Sequence, residues 1–406
     1  MVAFVDKSND EGLKLLERVV DINSGTQNFA GVRDVGKVFQ QEFDALGYKT
    51  RWVDGTPFKR AGHLVAEYAG PGPKILLIGH LDTVFEADSP FQKMEREGGR
   101  YARGPGIIDM KGGDVIIVQA MKALQSIGAL KSMNIVVVMT GDEEDAGDPV
   151  SLARADLIEV AKGAAAAIGF EDGPGDPKTA VISRRGTTSW TLTVTGQPAH
   201  SSQIFRQDIG PGAIFEAARI LNEFRERLST EPHLTFNPGT IVGGTTVEHD
   251  AVQARGTAFG KTNVIAEHAV VNGDMRTLSP EQLAKAKATM EGIVKASLPH
   301  TGAAITFEDG YPPLAPTDGN RKLLAMYDQA SRDVSAGAVS AVDPDRAGAA
   351  DVSFVAGQVP LIMDGIGLMG RDDHTVKETA DLETLPSQTK RAAVFLLRLA
   401  HSLTQR

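Results

Sequence analysis

The chain contains no cysteine among its 406 residues. Disulfides, thiolate zinc sites and a cysteine nucleophile are therefore excluded, and any bound metal must be held by histidine, aspartate or glutamate. The composition is 42% hydrophobic and 23% charged, which is typical of a globular protein with a large core. A chain of this length predicts two or three domains.

The sequence also lacks long apolar runs and basic stripes. No apolar run approaches the roughly 18 residues of a membrane span, and residues 1–10 do not show the basic-then-apolar pattern of a secretory signal. The formal net charge is -10, and Lys and Arg cluster no further than pairs such as Arg184-Arg185. We therefore predict no membrane span and no nucleic-acid partner, and the compartment stays open between cytoplasm and periplasm.

Strand-like and helix-like patterns alternate over the first part of the chain. Continuous apolar runs at 74–79, 134–140 and 164–169 are typical of strands that are buried on both faces. Segments with helical spacing flank them, at 11–20, 32–46, 114–127 and 149–162. This alternation predicts an α/β fold, with a mixed twisted sheet covered by helices on both faces.

From about Ser183 the apolar pattern changes to a period of two. Residues 189–195 alternate apolar and polar side chains, as a half-exposed antiparallel strand does, and amphipathic helices follow at 209–228 and 280–298. We predict an inserted α+β domain over residues 183–298. Residues 1–182 and 299–406 would form one discontinuous domain.

Histidines and carboxylates follow the apolar runs of the first domain. They are His80, Asp82, Asp109, Glu143, Glu144, Glu171 and, far downstream, His374. Ligands of open α/β sheets gather beyond the carboxyl ends of the strands, so we expect these side chains to lie close together. Imidazoles with carboxylates suit zinc, manganese or cobalt, and the set predicts a hydrolytic two-metal site.

The spacing of these residues indicates separate tasks. Residues two apart in an extended segment point the same way, so Asp82 is placed to orient His80. Asp109 lies in a glycine-rich loop, from which one carboxylate and a hydroxide could bridge two metals about 3.5–4 Å apart. Glu143 and Glu144 diverge, so one can bind metal while the other takes a proton from the metal-bound water. Taken singly, each has an ordinary alternative as a turn cap, a helix start or a solvated acidic loop.

Three motifs and the late His374 resemble, in order, those of a di-zinc metallopeptidase family. The motifs span residues 79–84, 106–113 and 140–144. The family includes glutamate carboxypeptidase, aminoacylase, acetylornithine deacetylase and succinyl-diaminopimelate desuccinylase, and the resemblance covers nearly the whole chain.

This resemblance implies two zinc ions, with cobalt or manganese as alternatives, and a role for each residue. One zinc would be held by His80, Asp109 and Glu171. The other would be held by Asp109, Glu144 and His374. Glu143 would be the general base, with Asp82 as the partner of His80.

The resemblance extends to the inserted domain, which in this family closes over substrate and supplies the dimer contact. Residues 196–202 are similar to a segment whose histidine reaches the neighbouring active site and stabilises the oxyanion, and this role carries to His200. Asn263 and Arg276 lie in segments that resemble those touching the substrate carboxylate, with a loop cap and a surface salt bridge as their alternatives. We expect a homodimer through this domain.

One segment departs from the family pattern. Glutamate-specific members carry arginine just before a proline after the lid, whereas residues 309–313 read Asp-Gly-Tyr-Pro-Pro. Lys178 and Arg346 offer alternative positive groups for a carboxylate.

The functional prediction is zinc-dependent hydrolysis of an amide bond in a C-terminal peptide or N-acyl amino acid, through a metal-bridging hydroxide. The alternatives are a small-molecule deacylase of the acetylornithine deacetylase or desuccinylase type and a non-catalytic metal-binding homologue.

Overall fold

The computed structural model describes residues 1–250 and 255–405. The chain divides into two units, of which the first comprises Met1–Arg184 and Ala315–Arg406 and the second comprises Arg185–Leu314. No helix in the described ranges is both long and apolar enough to cross a membrane.

The helices begin with side-chain caps where the sequence supplies them, as at Asn28, Ser279 and Thr317, whose oxygens accept from otherwise unpaired backbone amides. Their bounds are α1 (Val2–Val20), α2 (Phe29–Ala45), α3 (Gly112–Ser126), α4 (Val150–Ala153), α5 (Ala155–Ala161), α6 (Gly212–Leu228), α7 (Pro280–Lys295), α8 (Asp318–Asp333) and α9 (Thr384–Thr404).

Within residues 1–250 and 255–405, the strands form a large sheet in the first unit, a four-stranded sheet in the second, and three minor sheets. Their bounds are β1 (Lys49–Asp54), β2 (Gly62–Ala69), β3 (Lys74–His80), β4 (Glu95–Glu97), β5 (Tyr101–Arg103), β6 (Asn134–Thr140), β7 (Ala166–Gly169), β8 (Thr179–Ala180), β9 (Gly186–Gly196), β10 (Thr235–Gly244), β11 (Thr246–Asp250), β12 (Arg255–Phe259), β13 (His268–Thr277), β14 (Thr301–Asp309), β15 (Ser340–Ala341), β16 (Ile362–Met363), β17 (Gly370–Arg371) and β18 (Thr379–Asp381).

The large sheet has the order β1-β2-β6-β3-β7-β16. Strands β6, β3, β7 and β16 are parallel, whereas β2 pairs antiparallel with both β6 and β1. Apart from their first residues, β3 and β6 are buried throughout. Because successive side chains of a strand point to opposite faces, both faces of the sheet are covered, and the predicted mixed α/β architecture is confirmed.

Helix α3 anchors the first unit and begins just after the Asp109 loop. Val115, Ile116, Ile117 and Val118 are all fully buried, and the helix packs against α1 and α9. Burial of each such side chain contributes roughly 1.5–3 kcal/mol, so the start of α3 is held firmly.

The second unit is a sheet of order β10-β13-β9-β14, with α6 and α7 packed against it. The period-two pattern of β9 matches its burial, since Trp190, Leu192 and Val194 are each at most 1% exposed. These side chains pack with Phe224 of α6 and Val271 of β13 in a core of their own.

The boundary of the second unit differs from the sequence prediction, which ended the inserted domain at residue 298 and assigned residues 299–406 to the first domain. Strand β14 pairs with β9 from Thr301 to Asp309, and Ile305 and Phe307 pack against the core of the second unit. The second unit therefore extends to Leu314, and it begins at Arg185 rather than residue 183.

Candidate metal centre

Three adjacent parallel strands bring the predicted ligands to one edge of the large sheet. His80 ends β3, the central strand of the three; Glu143 and Glu144 follow β6 on one side, and Glu171 follows β7 on the other. Parallel strands end at the same edge of a sheet, so the side chains that directly follow these three strands lie close together.

Asp109 lies between the two histidines. Its Oδ1 is 3.1 Å from His80 Nε2, and its Oδ2 is 2.8 Å from His374 Nε2. Glu171 Oε1 is 3.6 Å from His80 Nε2, and Glu144 Oε2 is 3.1 Å from His374 Nε2. The structure thus brings together both predicted groups of ligands, with Asp109 shared between them.

The turn that carries Asp109 depends on close backbone packing at two glycines. A Cβ on Gly113 would lie 2.0 Å from the carbonyl oxygen of Phe170, and one on Gly112 would lie 2.5 Å from that of Ile107. Glycine alone lets the start of α3 approach the end of β7 this closely, which places Asp109 beside Glu171.

Glu378 holds the same turn and was missed by the sequence analysis. Its carboxylate accepts hydrogen bonds from the backbone amides of Gly106, Ile108 and Asp109, at 3.0, 2.9 and 3.2 Å. Burial, followed by the charge of Asp109, raises the pKa of Glu378 to about 8 against the effect of these hydrogen bonds. In the sequence, Glu378 is one more acid in a polar loop, and its amide partners leave no sequence signal.

Asp82 has more contacts than the predicted one with His80. Its carboxylate is fully buried and accepts from Thr26 Oγ1 at 2.6 Å and from the amides of Glu143 and Glu144 at 3.0 and 3.1 Å. His80 Nδ1 lies 3.1 Å from the Asp82 carbonyl oxygen and 3.5 Å from its Oδ1. Asp82 therefore orients His80, leaving Nε2 to face Asp109, and also fixes the turn that carries the two glutamates.

A buried ion network holds the other side of this turn. Arg154 is fully buried and donates through Nη1 to Asp142 Oδ1 at 2.6 Å and through Nε to Asp351 Oδ1 at 2.7 Å. Thr140 Oγ1 donates to Asp351 Oδ2 at 2.6 Å. The segment that leads from β6 into Glu143 is therefore fixed by charge-assisted hydrogen bonds.

The electrostatics of the cluster fit divalent cations. Burial raises the pKa of Glu143, Glu144 and Glu171, that of Glu144 to about 7, and the charge of Asp109 adds to the effect in each case. Within residues 1–250 and 255–405, Glu144 Oε1 is buried without a hydrogen-bond partner. Buried carboxylates that lack hydrogen-bond partners are ones that a metal satisfies, and imidazole with carboxylate is a zinc, cobalt or manganese donor set.

The pKa values of His80 and His374 are both raised. Burial alone would lower the pKa of His80, but the surrounding carboxylates of Glu171, Asp109 and Asp82 raise it overall. Hydrogen bonds to Asp109 and then Glu144 raise the pKa of His374 to about 11. Both imidazoles thus face concentrated negative charge, which is the field that attracts a cation.

Residues 76–398 match the profile of Peptidase family M20/M25/M40. The chain belongs to this family. It is similar to carboxypeptidase G2 of Pseudomonas sp. (strain RS-16), with 26% identity over 95% of this chain and 89% of that protein. It is also similar to succinyl-diaminopimelate desuccinylase of Maricaulis maris (strain MCS10), with 27% identity over 94% of this chain and 95% of that protein.

A solved structure supports the fold. The YXEP protein of Bacillus subtilis, a dinuclear metal binding peptidase from the M20 family, matches with a TM-score of 0.67 at 15% identity, over 98% of this chain and 99% of that one. Family membership makes this protein a metal-binding hydrolase of the metallopeptidase or amidohydrolase type, and the prediction of an enzyme is confirmed.

The remaining predicted residues of this M20 protein lie in the second unit. His200 forms a β-bridge with Val264, and the amide of Ser201 donates to the carbonyl oxygen of Asn263 at 2.9 Å, so the segments of His200 and Asn263 are neighbours. His200 is exposed, and its Nδ1 lies 2.8 Å from Ser202 Oγ. Arg276 lies on β13 and pairs with Asp274 at 2.9 Å, in a surface salt bridge of the kind that the sequence analysis named as the alternative to substrate binding.

A cavity of about 220 Å³ lies beside the ligand cluster. Glu143, Glu171 and His374 contribute to its wall, together with Asp172 and Asp373. Its lining by these charged side chains suits a polar substrate. Two arginines, Arg184 and Arg346, also line it.

Proposed function

We propose that this M20 protein is a zinc-dependent hydrolase of the amide bond in a C-terminal peptide or an N-acyl amino acid. The observation that carries the proposal is the position of Asp109, whose two oxygens contact different histidines beside a cavity that Glu143 also lines. The similarity to carboxypeptidase G2 over nearly the whole chain supports a substrate of this class.

The metal ligands would be shared between two sites. One zinc would be held by His80, Asp109 and Glu171. The second would be held by Asp109, Glu144 and His374. When bound, the two cations would polarise the scissile carbonyl and activate the attacking water. Cobalt and manganese are the alternative metals for the same donors.

Glu143 would move the proton. Its carboxylate takes a proton from the attacking water as the new C–O bond forms, and then gives that proton to the amide nitrogen as the C–N bond breaks. A carboxylic acid and an amine are released. The hydrogen bond from the Glu143 amide to Asp82 Oδ1, at 3.0 Å, supports this role because it fixes the residue beside the cavity.

The second unit would supply the dimer contact. Phe205, Phe215 and Phe259 are 66%, 51% and 62% exposed, and the rings of Phe205 and Phe215 lie 5.4 Å apart. Exposed apolar surface of this kind marks interaction sites. In the homodimer, His200 of one subunit would donate to the oxyanion in its partner, while Asn263 and Arg276 would bind the substrate carboxylate.

A deacylase of the desuccinylase type is the second candidate. Tyr311 lies in the segment where glutamate-specific relatives carry arginine, and identity to the Maricaulis desuccinylase is 27% over 94% of this chain. The missing arginine favours a substrate other than a peptide ending in glutamate, and the similarity to a desuccinylase gives the alternative substrate class.

The test is amino-acid release from a panel of N-acyl amino acids and dipeptides. The panel is assayed with protein as purified, after chelation, and after zinc or cobalt is restored. Release that is lost on chelation and regained with metal supports the proposal, and the preferred members separate a peptidase from a deacylase. A metal-loaded protein that is inert towards every member would contradict it.

A further inference from the structure

The two arginines on the wall of the cavity differ in what they contact. Arg184 is buried and donates through Nε to Asp364 Oδ2 at 2.8 Å and through Nη1 to the Gly348 carbonyl oxygen at 2.9 Å. Arg346 is exposed, and its side chain has no ion pair or hydrogen bond within residues 1–250 and 255–405. The charge of Arg184 is thus paired with a carboxylate of the protein, whereas that of Arg346 faces the cavity without a partner among the described residues.

The loop that carries Arg346 is tied to the ligand cluster. Asp364 accepts from the amide of Glu171 at 3.3 Å through Oδ1, while its Oδ2 accepts from Arg184, which in turn holds Gly348. The Arg346 amide donates to the Asp343 carbonyl oxygen at 2.8 Å. Arg346 is therefore positioned relative to Glu171 by a short series of hydrogen bonds, and a rigid supporting shell of this kind favours a defined binding geometry.

Backbone donors lie beside Arg346. Gly348 and Ala349 line the same cavity, and their amide groups donate no hydrogen bond within the part of the chain that the structure describes. A guanidinium with nearby amide N–H groups is a donor set that a carboxylate satisfies well, because each of its oxygens accepts two hydrogen bonds.

The remaining charges restrict where an anion can bind. Asp172 and Asp373 line the cavity as well, together with the predicted ligands Asp109 and Glu171 and the predicted base Glu143. The two carboxylates that are assigned neither to a metal nor to proton transfer, Asp172 and Asp373, would repel an anion from their part of the wall, so Arg346 marks the side on which a negative group is tolerated.

We propose that Arg346 binds a second carboxylate of the substrate, distinct from the carboxylate assigned above to Asn263 and Arg276. This inference rests on the proposed function and narrows it, because the natural substrate is then a dicarboxylic compound. The second carboxylate belongs either to the side chain of the released amino acid or to the acyl group, and both sources present the same chemistry to Arg346.

Matched substrate pairs distinguish the two sources. N-acetylglutamate and N-acetylglutamine differ by one charge on the released amino acid, and N-succinylalanine and N-acetylalanine differ by a carboxylate on the acyl group. We expect the zinc-loaded wild type to favour the acidic member of one pair by ~10- to 100-fold in kcat/KM, which is what a charged hydrogen bond contributes.

Three variants assign the preference to Arg346. Arg346→Gln should raise KM for the acidic member by that same ~10- to 100-fold while leaving kcat and the neutral member unchanged, and Arg346→Lys should keep part of the preference. Lys322→Gln is the matched control, since Lys322 is an exposed cation of the same unit that does not line this cavity.

The outcomes separate this inference from the proposed function. A wild type that hydrolyses acidic and neutral members equally in both pairs would overturn the role of Arg346 while leaving amide hydrolysis intact. Equal losses on both members in Arg346→Gln, or the same effect in Lys322→Gln, would also overturn it. Failure to hydrolyse any member, with metal restored, would instead contradict the proposed function.

Discussion

Asp109 contacts His80 with one carboxylate oxygen, at 3.1 Å, and His374 with the other, at 2.8 Å. The two histidines are far apart in the chain, and this single side chain joins the groups that surround them. Asp109 is itself held by its backbone amide, which donates to the buried Glu378. The geometry makes Asp109 the residue on which both proposed metal sites depend.

Replacement of Asp109 should therefore abolish binding of both ions. Asp109 contributes one oxygen to each proposed site, and Asp109→Asn removes its negative charge and replaces one of these oxygens with an amide nitrogen. Glu144→Gln, in contrast, should remove only the ion beside His374. Metal content per chain, measured by mass spectrometry after dialysis, checks both expectations.

Asp373→Asn is the matched control for these variants. Asp373 lies within reach of Asp109 and His374 and has an exposed side chain, so it competes with Glu144 as a ligand by position alone. We expect full metal content in Asp373→Asn. Loss of an ion there, with retention in Glu144→Gln, would reassign the ligand.

Loss of the buried Arg154 should destabilise the fold. Arg154→Met leaves Asp142 and Asp351 buried without their cation, which costs about 3–5 kcal/mol of unfolding free energy. Chemical denaturation of the metal-free protein measures this loss. The comparison is Arg206→Gln, which breaks an exposed pair with Asp208 and should cost below about 1 kcal/mol. Equal losses in the two variants would mean that the buried network does not stabilise the turn before Glu143.

Much of this site follows from sequence. His80, Glu144 and Glu171 each follow an apolar run, and the parallel arrangement of β3, β6 and β7 converts that pattern into a cluster. Arg154 and Asp351 could not be paired from sequence, because 197 residues separate them and neither stands in a distinctive motif.

The end of the inserted domain, which the sequence prediction placed at residue 298 and the structure places at Leu314, also depends on a long-range pairing. The alternating residues of β14 fit the edge of either sheet by pattern, and only the observed register with β9 places them in the second unit.

Zinc should stabilise the protein more at higher pH. In the metal-free fold the pKa of Glu144 is raised from 4.5 to about 7 and that of Glu378 from 4.5 to about 8, chiefly by burial. At a pH between the ordinary pKa of these groups and the raised value, the folded state retains protons that the unfolded state has lost. The free energy of unfolding therefore falls as pH rises through this range. Metal ligands must be deprotonated to bind. The increase in the free energy of unfolding on adding zinc therefore becomes larger over the same pH range.

Thermal unfolding with and without zinc, at pH values near 5.5 and 8, measures this effect. The account predicts a larger rise in the unfolding midpoint at the higher pH. An equal rise at both would mean that the buried carboxylates do not titrate in this range.

A charge on the exposed apolar surface of the second unit should separate the proposed dimer. Phe215→Glu places a carboxylate beside Phe205 and should shift the protein towards monomer in analytical ultracentrifugation. Ile127→Glu, at a similarly exposed apolar position of the first unit, is the control that should leave the mass unchanged. A wild type that is monomeric at all concentrations would remove the basis for His200 acting from the partner subunit.

The most direct test of the central claim is metal content and turnover measured together in Glu143→Ala. The account assigns Glu143 to proton transfer and the metal ligands to other residues. It therefore predicts full metal content, an unchanged unfolding transition and turnover lowered by ~10²- to 10⁴-fold on the best substrate of the panel. Wild-type turnover in the metal-loaded variant would contradict it.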